Sequence, residues 1–350
     1  MGIKKFDIVL DPHQQSYCSG EDVVGRVLVH SDCITSCRAI LVKARGFAKV
    51  EWENEAYGEE EVYFENIVTV WSGTSHGDNL PAGEYGFPFL FKLPLNIPRS
   101  FEGTYGHVRY QIEAKAEIPW GADQFSSFFF KVDCKYDLRE DDKASEALMF
   151  HKESTACLCC REEGPIIISL CADKTGYIPG EHVLLTGEVT NRADSPVVSS
   201  NITLVETIRY NIRTMHKKKK TTLKTIERSG IPAGETAVWL SIPIYIPEGA
   251  TCLQYCGIME AIYDVTITFT IGFCSEISVT QSITIGTIPV GKVTLTVEGP
   301  PASPGVPIPS APPMCNTSDT PSHEMQPILH QPKSLSDLSK LDDVEVVLTK

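Results

Sequence analysis

One short turn occurs twice in this chain, and it constrains the fold more than any other feature. Tyr17-Cys-Ser-Gly20-Glu21 returns as Tyr177-Ile-Pro-Gly180-Glu181, 160 residues later. Pro81-Ala82-Gly83-Glu84 returns as Pro232-Ala233-Gly234-Glu235, and Leu93-Pro94-Leu95-Asn96-Ile97-Pro98 as Ile242-Pro243-Ile244-Tyr245-Ile246-Pro247. One tetrapeptide can recur by chance. An ordered series at nearly constant spacing points to a duplicated domain. Each repeated piece also has a local meaning. Glycine supplies a backbone conformation that other residues resist, and proline marks the place where a strand leaves its sheet.

The pattern between the turns is that of strands. In Val108–Ile118, VRYQIEAKAEI, the apolar residues Val108, Tyr110, Ile112, Ala114, Ala116 and Ile118 alternate with charged or polar ones. Tyr263–Ile271, YDVTITFTI, alternates in the same way. Successive side chains of a strand point to opposite faces, so each segment is wet on one side and buried on the other. Further strands are expected to start near Lys5, Val23, Ala39, Val62, Phe87, Phe125, Ile166, Val183, Asn201, Thr236, Ile277 and Val293. Helical periodicity is confined to one short segment, Ala144–Phe150. Many strands with so little helix predict an all-β chain of two tandem antiparallel, immunoglobulin-like β-sandwiches. The expected boundaries are residues 1–137 for the first domain, 138–159 for a polar connection, 160–297 for the second domain and 298–350 for a tail. Ten of the 23 prolines fall from Gly299 onward, and no aromatic residue follows Phe273. Such a tail has too little apolar surface to offset its ordering entropy and is expected to be disordered.

Composition sets further limits. The formal net charge is −14, from 45 acidic and 31 basic residues, which argues against a nucleic-acid partner. The opening MGIKKFDIVLDPHQQ has no secretory apolar core, and no segment reaches the ~20 apolar residues of a membrane span. A cytoplasmic location is therefore expected, with the twelve cysteines present as thiols.

Three local features are candidates for contacts. Lys217, Lys218, Lys219 and Lys220 stand together in an acidic chain, near the tip of an expected hairpin. They suit either peripheral contact with anionic lipid or a solvated loop. Glu51–Glu65, EWENEAYGEEEVYFE, carries seven glutamates and reads as a hairpin with an acidic tip, a surface for a basic partner at most. Cys157, Cys159 and Cys160 cluster ahead of the second domain. S-acylation, zinc binding completed by Cys171 or His151, and ordinary packed thiols are the three readings; the spacing is not that of a zinc site, and no metal is assigned. No motif for phosphate, nucleotide or nucleophile chemistry occurs, so neither a cofactor nor catalysis is expected. Ser75-His76 lies in a glycine-rich connection without an acidic orienter.

Tyr17–Gly25 (YCSGEDVVG), Leu80–Phe91 (LPAGEYGFPFLF), Ser100–Gly103 (SFEG) with Val108-Arg109-Tyr110, and Gly176–Glu181 (GYIPGE) together resemble the arrestin domain-containing proteins, or α-arrestins, over residues 3–297. The resemblance implies two arrestin-type sandwiches. It implies an adaptor that binds cytoplasmic parts of membrane receptors or transporters and links them to ubiquitin-dependent endocytic sorting, with recruitment to the plasma membrane and endosomes. The neighbouring alternative is a structural subunit of an arrestin-fold endosomal coat. Family members recruit HECT-type ubiquitin ligases through Pro-Pro-x-Tyr. Here no tyrosine follows Tyr263, so recruitment by that motif is not expected. Pro309-Ser310-Ala311-Pro312 instead resembles the P[ST]AP ligands of the ESCRT-I UEV domain. A polyproline-II peptide of this kind is preformed and loses little entropy on binding.

Overall fold

The computed structural model describes residues 2–11, 16–52, 57–73, 77–158, 161–272, 275–291 and 346–348. The first half contains β1 (Ile3–Asp11), β2 (Ser16–Cys18), β3 (Asp22–Ser31), β4 (Thr35–Ser36), β5 (Ala39–Trp52), β6 (Tyr57–Ser72), β7 (Asn79–Leu80), β8 (Gly83–Lys92), β9 (Phe101–Glu102), β10 (Gly106–Glu117) and β11 (Gln124–Asp133). The second half contains β12 (Leu148–Leu158), β13 (Arg161–Ala172), β14 (Gly176–Tyr177), β15 (His182–Asn191), β16 (Val197–Ile212), β17 (Met215–Arg228), β18 (Thr236–Tyr245), β19 (Met259–Ile271) and β20 (Ser275–Ile285), with β21 (Val346–Leu348) beside β18.

The duplication is visible in the topology. The first sandwich has a sheet ordered β2-β11-β10-β5-β6, and the second a sheet ordered β14-β20-β19-β16-β17. In both, the short first strand is the parallel member, β2 on β11 and β14 on β20. The facing sheets are β1-β3-β8 and β12-β13-β15-β18-β21.

The repeated turn is built by the same hydrogen bonds in both copies. The Glu21 carboxylate accepts from Cys18 N, and that of Glu181 from Ile178 N, each at 2.9 Å. Glu21 N donates to Cys18 O and Glu181 N to Ile178 O, each at 3.1 Å. Gly20 and Gly180 hold φ of 85° and 89°. A side chain in that region clashes with its own backbone, which explains the glycine.

The alternating segments bury as expected. Val108, Tyr110, Ile112, Ala114 and Ala116 of β10 face one core, and Tyr263, Val265, Ile267, Phe269 and Ile271 of β19 face the other. A second repeated device accompanies them. Tyr110 Oη donates to Pro98 O at 2.5 Å, and Tyr263 Oη lies 3.0 Å from Thr251 O. Each carbonyl is twelve residues upstream of its tyrosine. In this way a buried hydroxyl ties the incoming loop to the core strand. Desolvation raises both phenol pKa values, which keeps the hydroxyls neutral donors.

One expectation needs correction. The helix expected over Ala144–Phe150 does not form. Leu138–Glu140 and Asp142–Ser145 are single 3-10 turns, started by the Asp137 and Asp141 side chains. From Leu148 the chain is β12, with Leu148 opposite Ala172 and Phe150 opposite Leu170. Leu148 and Phe150 are buried while Met149 between them is exposed, a period of two. A seven-residue helix would be marginal without packing, whereas pairing with the Ile-rich β13 satisfies the backbone and buries both side chains. Within the segment 138–159, β12 runs from Leu148 to Leu158. The strand expected near Val293 lies outside the described residues.

The two sandwiches meet in a continuous apolar seam. Ile208, Tyr210 and Ile212 of β16, together with Leu253 and Met259, belong to the hydrophobic core of the first sandwich. Tyr210 Oη accepts from Thr104 N at 3.1 Å, and its ring meets Tyr105 edge-on at 5.5 Å. Glu61 Oε2 accepts from Gly257 N at 2.8 Å and from Tyr63 Oη at 3.2 Å. Asp137 and Ile288 form a parallel bridge.

Two outcomes test this account. Gly180→Ala makes only an ordinary contact, with Glu248 Cγ at 4.0 Å, so its cost is the backbone strain of about 1 kcal/mol. Gly20→Ala adds a clash with Leu95 Cδ2 at 2.6 Å and should lower the urea midpoint further. Tyr210→Phe keeps the ring but strips the Thr104 amide of its acceptor. Urea unfolding should show a loss of about 1–2 kcal/mol; an unchanged midpoint would mean that the bond carries nothing.

Candidate interaction surfaces

The lysine run lies on β17, just past the Arg213-Thr214 turn rather than at the hairpin tip. Lys217 is opposite Tyr210, Lys218 opposite Arg209, Lys219 opposite Ile208 and Lys220 opposite Thr207. Because β17 is the edge of its sheet, its far side is open to solvent. Lys218, Lys219 and Lys220 are exposed. Lys217 behaves differently. Its Nζ sits 5.1 Å from the Trp52 ring centroid and 5.0 Å from that of Tyr105, in the seam. Cation–π attraction of this kind contributes about 0.5–2 kcal/mol, so Lys217 serves the junction of the sandwiches. The outward cationic surface is the remaining trio.

The acidic hairpin is formed by β5 and β6, and its tip, 53–56, lies outside the described residues. Glu60 and Glu65 are engaged across the hairpin, and Glu51 along its own strand. Arg45 bridges Glu60 at 2.5 Å and Glu65 at 3.3 Å, Lys43 reaches Glu65 at 3.0 Å and Lys49 reaches Glu51 at 2.5 Å. Glu61 is turned to the seam. Cross-strand pairing thus accounts for Glu60 and Glu65 among the glutamates that suggested a basic partner.

A cleft of about 420 Å³ opens where β11 parts from β10 and β9 takes its place. Phe101, Val108 and Tyr110 line it, and Arg99, Asp133, Arg109 and Glu102 at its rim are paired. Arg109 grips Glu102 with two bonds, at 2.8 and 2.9 Å, which raises the arginine pKa and lowers that of the glutamate. Arg99 faces Asp133 at 3.5 Å, and the same carboxylate accepts from Ser16 Oγ at 2.7 Å. No nucleophile–base pair stands in this cleft. Histidines serve as packing rings, His107 against Phe47 and His182 against Tyr245.

Of the other sequence candidates, Pro309, Ser310, Ala311 and Pro312 lie outside the described residues, as do Cys159, Cys160, Ser75 and His76. Cys157 is in the last turn of pairing of β12. Among the described residues, no cluster of three or more His, Cys, Asp or Glu is placed to hold a metal ion. No helix among them is long and apolar enough to cross a membrane. The cysteine pair that sequence reading missed is Cys134 and Cys252. They are buried side by side at the seam, and their thiol–thiol hydrogen bond raises the Cys134 pKa and lowers that of Cys252. No local signal marks them, because 118 residues separate the two.

Known proteins share this architecture. Residues 6–139 match the family model of the arrestin (or S-antigen) N-terminal domain, and residues 162–290 that of the C-terminal domain. The chain is 28% identical over 308 residues to arrestin domain-containing protein 17 of Caenorhabditis elegans, covering 82% of this chain and 71% of that protein. It is 28% identical over 331 residues to human arrestin domain-containing protein 1, covering 89% and 72%. It is 23% identical over 303 residues to human arrestin domain-containing protein 4, covering 82% and 72%. With two arrestin domains matched in order over most of its length, this chain belongs to the arrestin domain-containing protein family.

Proposed function

We propose that this protein is a trafficking adaptor that binds cytoplasmic parts of membrane receptors or transporters and links them to ubiquitin-dependent endocytic sorting. Family membership supports a non-enzymatic adaptor role in general. The single observation that carries the reading is the match of both sandwiches to arrestin domains. The partner assignments rest on sequence. Pro309-Ser310-Ala311-Pro312 is the segment offered to the ESCRT-I UEV domain. Lys218, Lys219 and Lys220 are offered to anionic lipid at the plasma membrane or endosome, each worth on the order of 1 kcal/mol near the surface. Cys157, Cys159 and Cys160 are offered for S-acylation, which would add a second membrane signal to the lysines.

Two measurements test the partners. Calorimetric titration of the UEV domain into the full chain should show binding that Pro309→Ala/Pro312→Ala weakens at least roughly tenfold, since the two prolines set the preformed peptide shape. Equal affinity for the variant would remove the tetrapeptide from the mechanism. Co-sedimentation with phosphatidylserine vesicles should fall on the order of a hundredfold when Lys218, Lys219 and Lys220 are all changed to Glu. Unchanged sedimentation would return the trio to a purely solvated role.

A further inference from the structure

A sheet edge presents unpaired backbone donors and acceptors to any other strand, and charges on the edge prevent such pairing. β17 carries Lys218, Lys219 and Lys220 on its edge, and β1 carries Lys4, Lys5 and Asp7. β11 has no such protection. On one side it pairs with β10, from Tyr110 opposite Phe130 to Ala116 opposite Gln124. On its other side β2 covers only Lys131–Asp133. Among the described residues, no strand pairs with the outer side of 124–130. That segment reads Gln-Phe-Ser-Ser-Phe-Phe-Phe, without a charge, a proline or a glycine. Phe125 and Phe129 are 69% and 55% exposed on the outer face, and Phe128 is 40% exposed on the other.

We propose that this free edge is a self-association surface, on which β11 of a second copy pairs antiparallel about Ser127. The occupant follows from the self-complementarity of the segment. In that register Ser127 meets Ser127, and Phe125 of each copy meets Phe129 of the other. Cross-strand aromatic pairs therefore flank a small central pair on the outer face. On the inner face Phe128 lies opposite the other copy's Ser126, where a short side chain leaves room for the ring. Lys131 and Asp123 frame the segment and keep their partners within the chain, Lys131 beside Ser16 of β2 and Asp123 bound to Lys115 at 3.1 Å. The pairing also ends where it must. β2 begins its cover at Lys131, and Gly121–Asp123 closes the hairpin through Ile118, which donates from its backbone N to Asp123 at 2.9 Å. The same patch is used by both copies, so the assembly closes at two.

Sedimentation velocity of the full chain tests the proposal over about 1–100 µM. The wild type is expected to move from monomer to dimer across that range. Ser127→Lys sets two like charges face to face on the dyad and should raise the dimer Kd roughly tenfold or more. Ser127→Thr keeps the pairing and should dimerise at least as well as the wild type. Hydrogen exchange supplies the second readout. Amides in 124–130 should slow as the wild type is concentrated, and should not slow in Ser127→Lys. A wild type that stays monomeric throughout overturns the proposal. So does a dimer that Ser127→Lys leaves intact, or slowed exchange at constant mass in the presence of an added extended peptide only.

Discussion

A single strand ties the two cores together, and much of the structure depends on it. Val197, Ile202 and Leu204 of β16 are buried in the second core, and Ile208, Tyr210 and Ile212 farther along the same strand are buried in the first. A strand of 16 residues spans about 53 Å at ~3.3 Å per residue. Its hydrogen bonds to β17 and β19 make it stiff along that length. Three buried side chains of this kind contribute several kcal/mol at about 1.5–3 kcal/mol each, before ordering costs. Separating the sandwiches would expose them, and would also strip the Thr104 amide and the Glu61 carboxylate of their partners. The seam is therefore part of the folding unit rather than a contact between finished bodies.

Duplication explains how such a strand arises. β5 and β16 hold the same place in their sheets, each between a core strand and an edge strand. Their hairpins have diverged in charge while keeping their geometry. β6 carries Glu60 and Glu65, which Arg45 and Lys43 of β5 pair, and Lys49 pairs Glu51 along β5 itself. β17 carries lysines with no comparable acidic ladder on β16, whose facing residues are Tyr210, Arg209, Ile208 and Thr207. One copy has internalised its charge and the other displays it. Within the displayed set, Lys217 alone turns to the aromatic rings of the first sandwich. The cationic hairpin is thus joined to the seam by its own first lysine.

The fold was legible in sequence wherever the physics is local. Period-two burial in β10 and β19 follows from side chains on alternate faces, and the Gly20 and Gly180 turns follow from positive φ. Features that depend on distant residues were hidden. The stack of Lys217 on Trp52 joins residues 165 apart, and Cys134 and Cys252 come together only when both sandwiches are in place. The segment 144–150 misled because its local propensity favours a helix and its tertiary environment, the free edge of β13, favours a strand. That edge is created by residues 161–172, which a short window does not include.

Edge chemistry also bears on how an acidic chain tolerates an unprotected edge. A net charge of −14 makes two copies repel at long range. At physiological ionic strength the screening length is about 8 Å, so charges beyond the first neighbours of an approaching strand lose most of their influence. Around β11 those first neighbours are nearly balanced. Lys115 is tied to Glu117 and Asp123 at 3.2 and 3.1 Å, and Arg109 to Glu102. Global repulsion keeps unrelated apolar contacts rare, while local neutrality leaves one edge free of a barrier. Selectivity at that edge then falls to register. In the proposed register the short side chain of Ser126 lies opposite Phe128 and a Ser127 pair lies at the centre, so each ring meets either another ring on the outer face or a small residue on the inner one.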